Sequence, residues 1–446
     1  MDYCGIRTLL TGLALLASPA VGLAQAGARW QEYDDAGRQA LKEGRYTVAE
    51  KLLRSAVRDA EGFGKNDPKL ARSLDSLAWL GYRQGKYSEG VASACRALTI
   101  RETAFGRESR EAAQSMNTLA ALYSAEGRYA EAEPLFKHSL TITQDVLGSE
   151  HHEVAQALNN LAEVLRLRAK YTETEPLYRR SLEIVEKHLG ADHPNAAQAL
   201  HNLGLLYHIQ GKYPEAEAMY KRALAIREKA PNIDPAERAH TLNNLGELDR
   251  AQKKYAEAET LFRQALALRE KALGKNHPAV AQTLNNLAEL ETAQLRFVQA
   301  EPLFRRALTI QEKALGSNHP LTSETLANLG ILLRKQGKLA ESEAVLRKAL
   351  AIQEKALGPN HPLVAETLDN LARLASDQNR PDQAESFQKR ALAIQEKALG
   401  PNHPVFAATL EHDAKRLRKA GLLAKAEAQE RRAQSIRDRL DKPKPE

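Results

Sequence analysis

The sequence predicts an all-α solenoid of about ten helix-turn-helix units. Three observations carry that prediction: a 42-residue period, apolar residues at helical spacing around each turn, and a glycine–proline breaker between units. The period is marked by a Gly-[Lys/Arg]-aromatic turn, in places degraded, with its aromatic at Tyr87, Tyr129, Tyr171, Tyr213, Tyr255 and Phe297. Leu339, Pro381 and Leu423 hold the same place further on, and Gly44-Arg45-Tyr46 is a copy 41 residues upstream of Tyr87.

Residues 198–237 show the unit clearly. Leu200, Leu203, Gly204, Leu206 and Tyr207 give a first helix one apolar face. Gly211-Lys212-Tyr213 ends it, and Ala216, Met219, Tyr220, Ala223, Leu224 and Ile226 form the stripe of a second helix. Small residues at Gly204, Ala216 and Ala223 allow close approach of the two. The breaker reads Leu-Gly-x-[Asn/Asp]-His-Pro, as in Leu189 to Pro194, and returns at 274–278, 316–320, 358–362 and 400–404. Glycine stops a helix in the left-handed conformation, and proline suits the first turn of the next. Gly64, Gly106 and Gly148 mark degenerate copies, and residues 231–235 are an irregular one. A lone hairpin of this kind leaves one apolar face uncovered, so the units must stack.

The domain reading follows. Residues 1–26 read as a secretory signal peptide: Arg7, an apolar run from Leu9 to Val21, then Ala24-Gln25-Ala26 before Gly27. Residues 27–404 hold about nine repeats, 405–440 a degenerate, charge-rich last repeat with capping helices, and 441–446 a frayed tail. Export, to a periplasm or beyond, and no membrane insertion after cleavage are the expectations. Cys95 is then the single cysteine of the mature chain, so no internal disulfide forms, and its expected place is a small core position.

These positions match the tetratricopeptide repeat. Leu203, Gly204, Gly211, Tyr213, Ala216, Tyr220 and Ala223 fill the family's places in order. With its long period and its Leu-Asn-Asn-Leu-Ala and His-Pro segments, the chain resembles the subtype found in kinesin light chains, over roughly residues 29 to 440. The resemblance implies a superhelix whose first helices line a concave groove that binds polypeptides.

Asn160, Asn202, Asn244, Asn286, Asn328 and Asn370 recur at the period, with Ser76, Thr118 and His412 in the same place. Their apolar neighbours point about 130° away around the helix, so the asparagines face off the core. An amide there can donate to and accept from a peptide backbone at once. Helices pack about 8–10 Å apart, and three extended residues span about 10 Å, so the ladder suits an extended peptide. The alternative is that the asparagines brace neighbouring helices. Along the expected groove lie Arg72, Trp79 and Arg83, then Glu163, Glu247 and Glu289 with Arg166 and Arg250, then Ile331, Arg334, Lys335, Arg373 and Asp377. Trp79 is the expected apolar anchor.

Other chemistry is not expected. Net charge is +7, from 64 basic and 57 acidic residues, a thin excess that argues against nucleic acid. His193, His277, His319, His361 and His403 repeat with the unit and cannot converge on one ion, and His151-His152 lacks a second half. No zinc-protease, phosphate-loop or serine-nucleophile motif is present, so no cofactor, metal or catalytic residue is assigned. The expected function is a non-enzymatic scaffold, monomeric, holding an extended polypeptide. The alternative is a self-associating structural component of the cell envelope.

Overall fold

The computed structural model describes residues 19–229 and 235–441. Among these the chain is all helix, in ten hairpins. They pair α1 (Pro19–Lys42) with α2 (Tyr46–Glu61), α3 (Pro68–Gln84) with α4 (Tyr87–Phe105), and α5 (Arg110–Ala125) with α6 (Tyr129–Leu147). Next come α7 (His152–Leu167) with α8 (Tyr171–Leu189), α9 (Pro194–Ile209) with α10 (Tyr213–Lys229), and α11 (Pro235–Ala251) with α12 (Tyr255–Leu273). Then follow α13 (Pro278–Ala293) with α14 (Phe297–Ala314), α15 (Pro320–Lys335) with α16 (Leu339–Leu357), α17 (Pro362–Asp377) with α18 (Pro381–Leu399), and α19 (Pro404–Lys419) with α20 (Leu423–Asp441). Every second helix begins on the residue that carries the sequence period, so the solenoid is as expected.

The turn inside each hairpin needs one left-handed residue. Gly85, Gly127, Gly211 and Gly337 supply it at φ of 68°, 71°, 73° and 79°, but Ala169, Lys253 and Leu295 hold it at 53°, 61° and 61°. A side chain in this region costs roughly 1–2 kcal/mol. The first helix also closes on the second at fixed small residues: a Cβ on Gly204 would meet the Tyr220 ring at 2.7 Å, and one on Gly246 the Phe262 ring at 2.7 Å. Tyr178, Tyr220, Phe262 and Phe304, one per unit, are fully buried there. Consecutive second helices are tied on the outside by Arg222–Glu186, Arg306–Glu270, Lys348–Glu312, Arg390–Glu354 and Arg432–Glu396. Such exposed pairs contribute little singly.

The breaker histidines are helix caps. Nδ1 of His193, His277, His319, His361 and His403 each accepts the main-chain N–H two residues on, at 3.1 Å. His151 does the same for Glu153 at 3.2 Å. Asp67 and Ser109 cap α3 and α5 in the degenerate copies. An Nδ1 that accepts fixes the proton on Nε2.

In the last three units that side of the ring points into protein. His319, His361 and His403 are buried, while His193 and His277 are half-exposed. The difference is a second layer of protein. The ring of His319 faces the carbonyl of Arg83, His361 that of Ala125, and His403 that of Leu167. These carbonyls end α3, α5 and α7, where helices leave acceptors unsatisfied. For His319 the approach stops short of hydrogen-bond geometry. Alongside, Gly85 abuts Pro320 and Gly127 abuts His361 and Pro362, and Leu399 packs on the core that spans Ala120 to Ile226. Each contact joins a unit to the one six further on. The solenoid is therefore a superhelix that completes a turn and rests on itself.

Burial pushes His361 and His403 down to about 4. They stay neutral in the fold, whereas in the unfolded chain they take a proton near 6.5. Their contribution to stability is therefore lost progressively as pH falls from about 6.5 toward 4.

Most of the expected signal peptide, with Cys4, lies outside the described residues, as do the irregular linker at 230–234 and the tail from 442. Residues 19–26 open α1, whose first buried residue among those with described side chains is Trp30, downstream of the expected cleavage. Cys95 is half-buried in α4 beside Leu119 and Leu122. The charge-rich tenth unit is a complete hairpin, closed by Arg418–Glu430 and Arg437–Glu411.

Two outcomes are expected. Replacing Lys253 and Leu295 by glycine raises stability by about 1 kcal/mol per site in urea unfolding. The double variant Gly85→Ala/Gly127→Ala unfolds earlier than Gly211→Ala/Gly337→Ala, although all four glycines sit at nearly the same φ. In the second pair an added Cβ meets nothing within 4 Å, in the first it strikes Pro320 at 2.5 Å and Pro362 at 2.8 Å. Small-angle scattering should show a larger radius of gyration for the first pair alone.

Candidate binding channel

The face that the asparagines share lines the inside of the superhelix. Each of the six follows a partly or fully buried residue and precedes a buried leucine, and each is half-buried. Their hydrogen bonds divide them. Asn202 Nδ2 donates to Asn159 Oδ1 at 3.4 Å, Asn244 Nδ2 meets His201 Nε2 at 2.8 Å, and Asn328 Nδ2 donates to Asn285 Oδ1 at 3.3 Å and Glu289 Oε1 at 2.7 Å. Each of these links a first helix to the one before it. His412 repeats the link with Asp369 at 2.8 Å. Asn160 accepts only from Gln156 of its own helix, and Asn286 and Asn370 have no side-chain partner among the described residues. The ladder thus mixes three bracing amides, Asn202, Asn244 and Asn328, with three open ones. The residues beside them brace as well: Asn159 donates to Ser181 at 2.7 Å, and buried Asn243 donates to Thr283 at 3.1 Å.

The groove arginines are engaged within the chain. Arg166 grips Glu163 at 2.5 Å, Arg250 grips Glu247 at 2.5 Å, and Arg334 reaches Asp377 across units at 2.7 Å. Arg72 pairs with Asp34 and Asp35. Arg83 donates to the Tyr46 hydroxyl at 3.3 Å. Trp79 is 43% exposed, stands edge-on to Tyr82 at 5.4 Å, and Tyr82 lies 5.8 Å from Tyr87. This aromatic group, from the first superhelical turn, lies within electrostatic reach of Glu163 and of Glu324 from the second. Tyr129 is likewise coupled to Glu366 and Glu163. The concave face is therefore walled on both sides and forms a channel.

Glu324 and Glu366 were not singled out in the sequence. They stand four residues before Asn328 and Asn370, on the same face, where earlier units carry Gln156, Gln198 and Gln282. The departure from glutamine was the available signal. Neither has an ion-pair partner among the described residues. Glu366 touches water, yet protein surrounds it, as expected for a channel wall. Loss of solvation pushes Glu289, Glu324 and Glu366 up to about 7, helped by repulsion from Glu247 on Glu289, from Glu366 and Glu289 on Glu324, and from Asp369 on Glu366. Seven residues along α15 and α17 from these carboxylates the sign reverses, with Ile331 then Lys335, and Arg373.

The ligating atoms of His151, His152 and Glu153 lie within 4.8 Å of one another. His151 already spends Nδ1 on the helix cap, and Glu153 is held by Arg110. No helix among the described residues is long and apolar enough to cross a membrane.

The family model described as tetratricopeptide repeat matches residues 111–173, 153–229, 237–313, 280–355 and 322–397, and a second model of the same description matches 70–111. No curated protein sequence matches. Among solved structures, a kinesin light chain-like protein with nearly identical repeats, from Podosopora anserina, is 25% identical. That match covers 46% of this chain and 97% of that one, with a TM-score of 0.39. A Rap protein solved in complex with competence and sporulation factor is 15% identical over 84% of this chain and 99% of that one, at TM-score 0.55. Aspartyl phosphate phosphatase F from Bacillus subtilis is 14% identical over 84% and 95%, at TM-score 0.50. The likeness to the last two is one of fold.

The raised carboxylates give a pH test. Folded, they bind protons up to about 7, whereas unfolded carboxylates release them near 4.5. The folded state holds more protons between these values, so their effect on stability worsens as pH rises through that window. Replacing all three with glutamine should raise the urea midpoint at pH 8, with the gain over wild type shrinking toward pH 4.5.

Proposed function

Because the chain belongs to the tetratricopeptide repeat family, a scaffold typical of protein–protein interaction, we propose that it is a non-enzymatic adaptor holding an extended polypeptide in its channel. The observation that carries this is the open set of amides. Asn160, Asn286 and Asn370 present a donor and an acceptor each to the channel, on a row of helices spaced like an extended chain. The walls supply further contacts at Trp79 and Tyr82. The binding protein is a monomer in this reading, since its concave face is already covered by its own second turn. The reading also places the protein outside the cytoplasm, on the strength of Arg7, the run from Leu9 to Val21 and Ala24-Gln25-Ala26.

The two classes of asparagine make the proposal testable. Asn160→Ala/Asn286→Ala/Asn370→Ala should abolish capture of partners from the native envelope while the melting temperature stays within a degree or two. Asn202→Ala/Asn244→Ala/Asn328→Ala should instead lower the melting temperature, each lost bond contributing about 0.5–1.5 kcal/mol. Undiminished capture by the first variant would sink the channel reading.

A further inference from the structure

Charge inside the channel does not follow the charge of the chain. The whole is basic, at +7. Within the channel the arginines Arg72, Arg166, Arg250 and Arg334 are neutralised by acids of the chain itself. What remains without an ion pair among the described residues has both signs: Glu324 and Glu366 on α15 and α17, with Glu289 on α13 near them, and Lys335 and Arg373 further along α15 and α17. Arg250 reaches Glu289 only at 3.8 Å and is already shared with Glu247. Two neighbouring units thus present carboxylates at one register, Glu324 and Glu366, and Glu289 of the unit before stands seven residues along from that register, close enough to raise Glu324. Further along stand Arg373, about 10 Å from the level of Glu366, and Lys335, about 16 Å from that of Glu324.

Two independent features point to an occupant. Trp79 and Tyr82 are left exposed on the facing wall, and aromatic faces attract cations. Tyr220 is fully buried, and the Asn244 amide approaches its hydroxyl, but no acceptor takes the hydroxyl proton. It lies toward Asn244, Glu247 and Arg166 on the channel face. Its counterpart one unit earlier, Tyr178, donates to Glu163 at 2.9 Å. A buried hydroxyl without an acceptor is costly, and a carbonyl oxygen of a bound segment would satisfy it.

We propose that the polypeptide held in the channel is cationic, its lysine or arginine side chains seated on Glu289, Glu324 and Glu366 and against Trp79, with Tyr220 donating to its backbone. This rests on the channel reading above and adds the chemistry of the partner. Lysines about three residues apart in an extended segment match the one-unit spacing of Glu324 and Glu366.

The experiment uses three fluorescently labelled alanine-based dodecapeptides, with lysine, glutamine or glutamate at every third position, titrated into the full chain and followed by anisotropy. The lysine peptide should bind at least tenfold more tightly than the glutamine peptide, and the glutamate peptide more weakly still. Glu324→Gln/Glu366→Gln should erase the lysine advantage, and Trp79→Ala should reduce it, with helicity by circular dichroism unchanged. Tyr220→Phe should weaken all peptides alike. Equal binding of lysine and glutamine peptides, lost in Asn160→Ala/Asn286→Ala/Asn370→Ala, overturns the cationic partner and leaves the channel reading standing. Failure of every peptide to bind overturns both.

Discussion

The structure depends on the contact between each unit and the unit six further along. Stacking of neighbours builds a solenoid, but a solenoid alone has an open concave face. Where Gly85 and Gly127 meet the Pro320 and Pro362 loops, the second superhelical turn settles on the first. That contact converts a groove into a channel. It also explains why one loop motif has two environments: the same histidine cap is half-exposed at His193 and buried at His361. The chemistry at the contact is economical. A neutral imidazole satisfies a helix start with one nitrogen and turns the other toward a helix end in the layer below.

Closure changes the meaning of charge. In an open groove a carboxylate would keep its water and its ordinary acidity. Glu289, Glu324 and Glu366 face protein across the channel as well as beside them, and they hold protons to about 7. Acidification has opposite effects at the two places. It relieves repulsion on the channel wall and weakens the histidine contacts that make the wall.

The fold was legible because its signals are local and repeated. A turn residue and a small residue in each helix recur ten times, a breaker separates the units, and each reports on the helices beside it. The breaker histidines were legible only as loop structure, since the hexapeptide at 189–194 reads much like that at 357–362. The sequence holds no marker of how many units make a superhelical turn. The asparagine ladder was half legible. Helix geometry set all six off the core, and the family resemblance put that face on the concave side. Whether an amide braces or stays open is not set by residue type alone: 43 positions back, His201 braces Asn244 and Ala327 leaves Asn370 open, but Asn159 braces Asn202 while Asn117 and Asn243 leave Asn160 and Asn286 open. The arginines of the groove looked available one by one. Their partners, three residues away in Arg166 and Arg250 but in the next unit for Arg334, take them up.

The hairpin turns show where the chain is free to vary. Units two to four, which carry the overlying turn, place Gly85, Gly127 and Ala169 at the left-handed position. Lys253 and Leu295 occupy it in units six and seven, with nothing stacked above them, and Leu295 is 71% exposed. The residue at this one position therefore bears on what can be laid over it. By the six-unit offset an eleventh copy would settle on Gly211, where there is room, whereas a twelfth and a thirteenth would bring prolines down on a lysine and a leucine, and the coil would splay there rather than wind on.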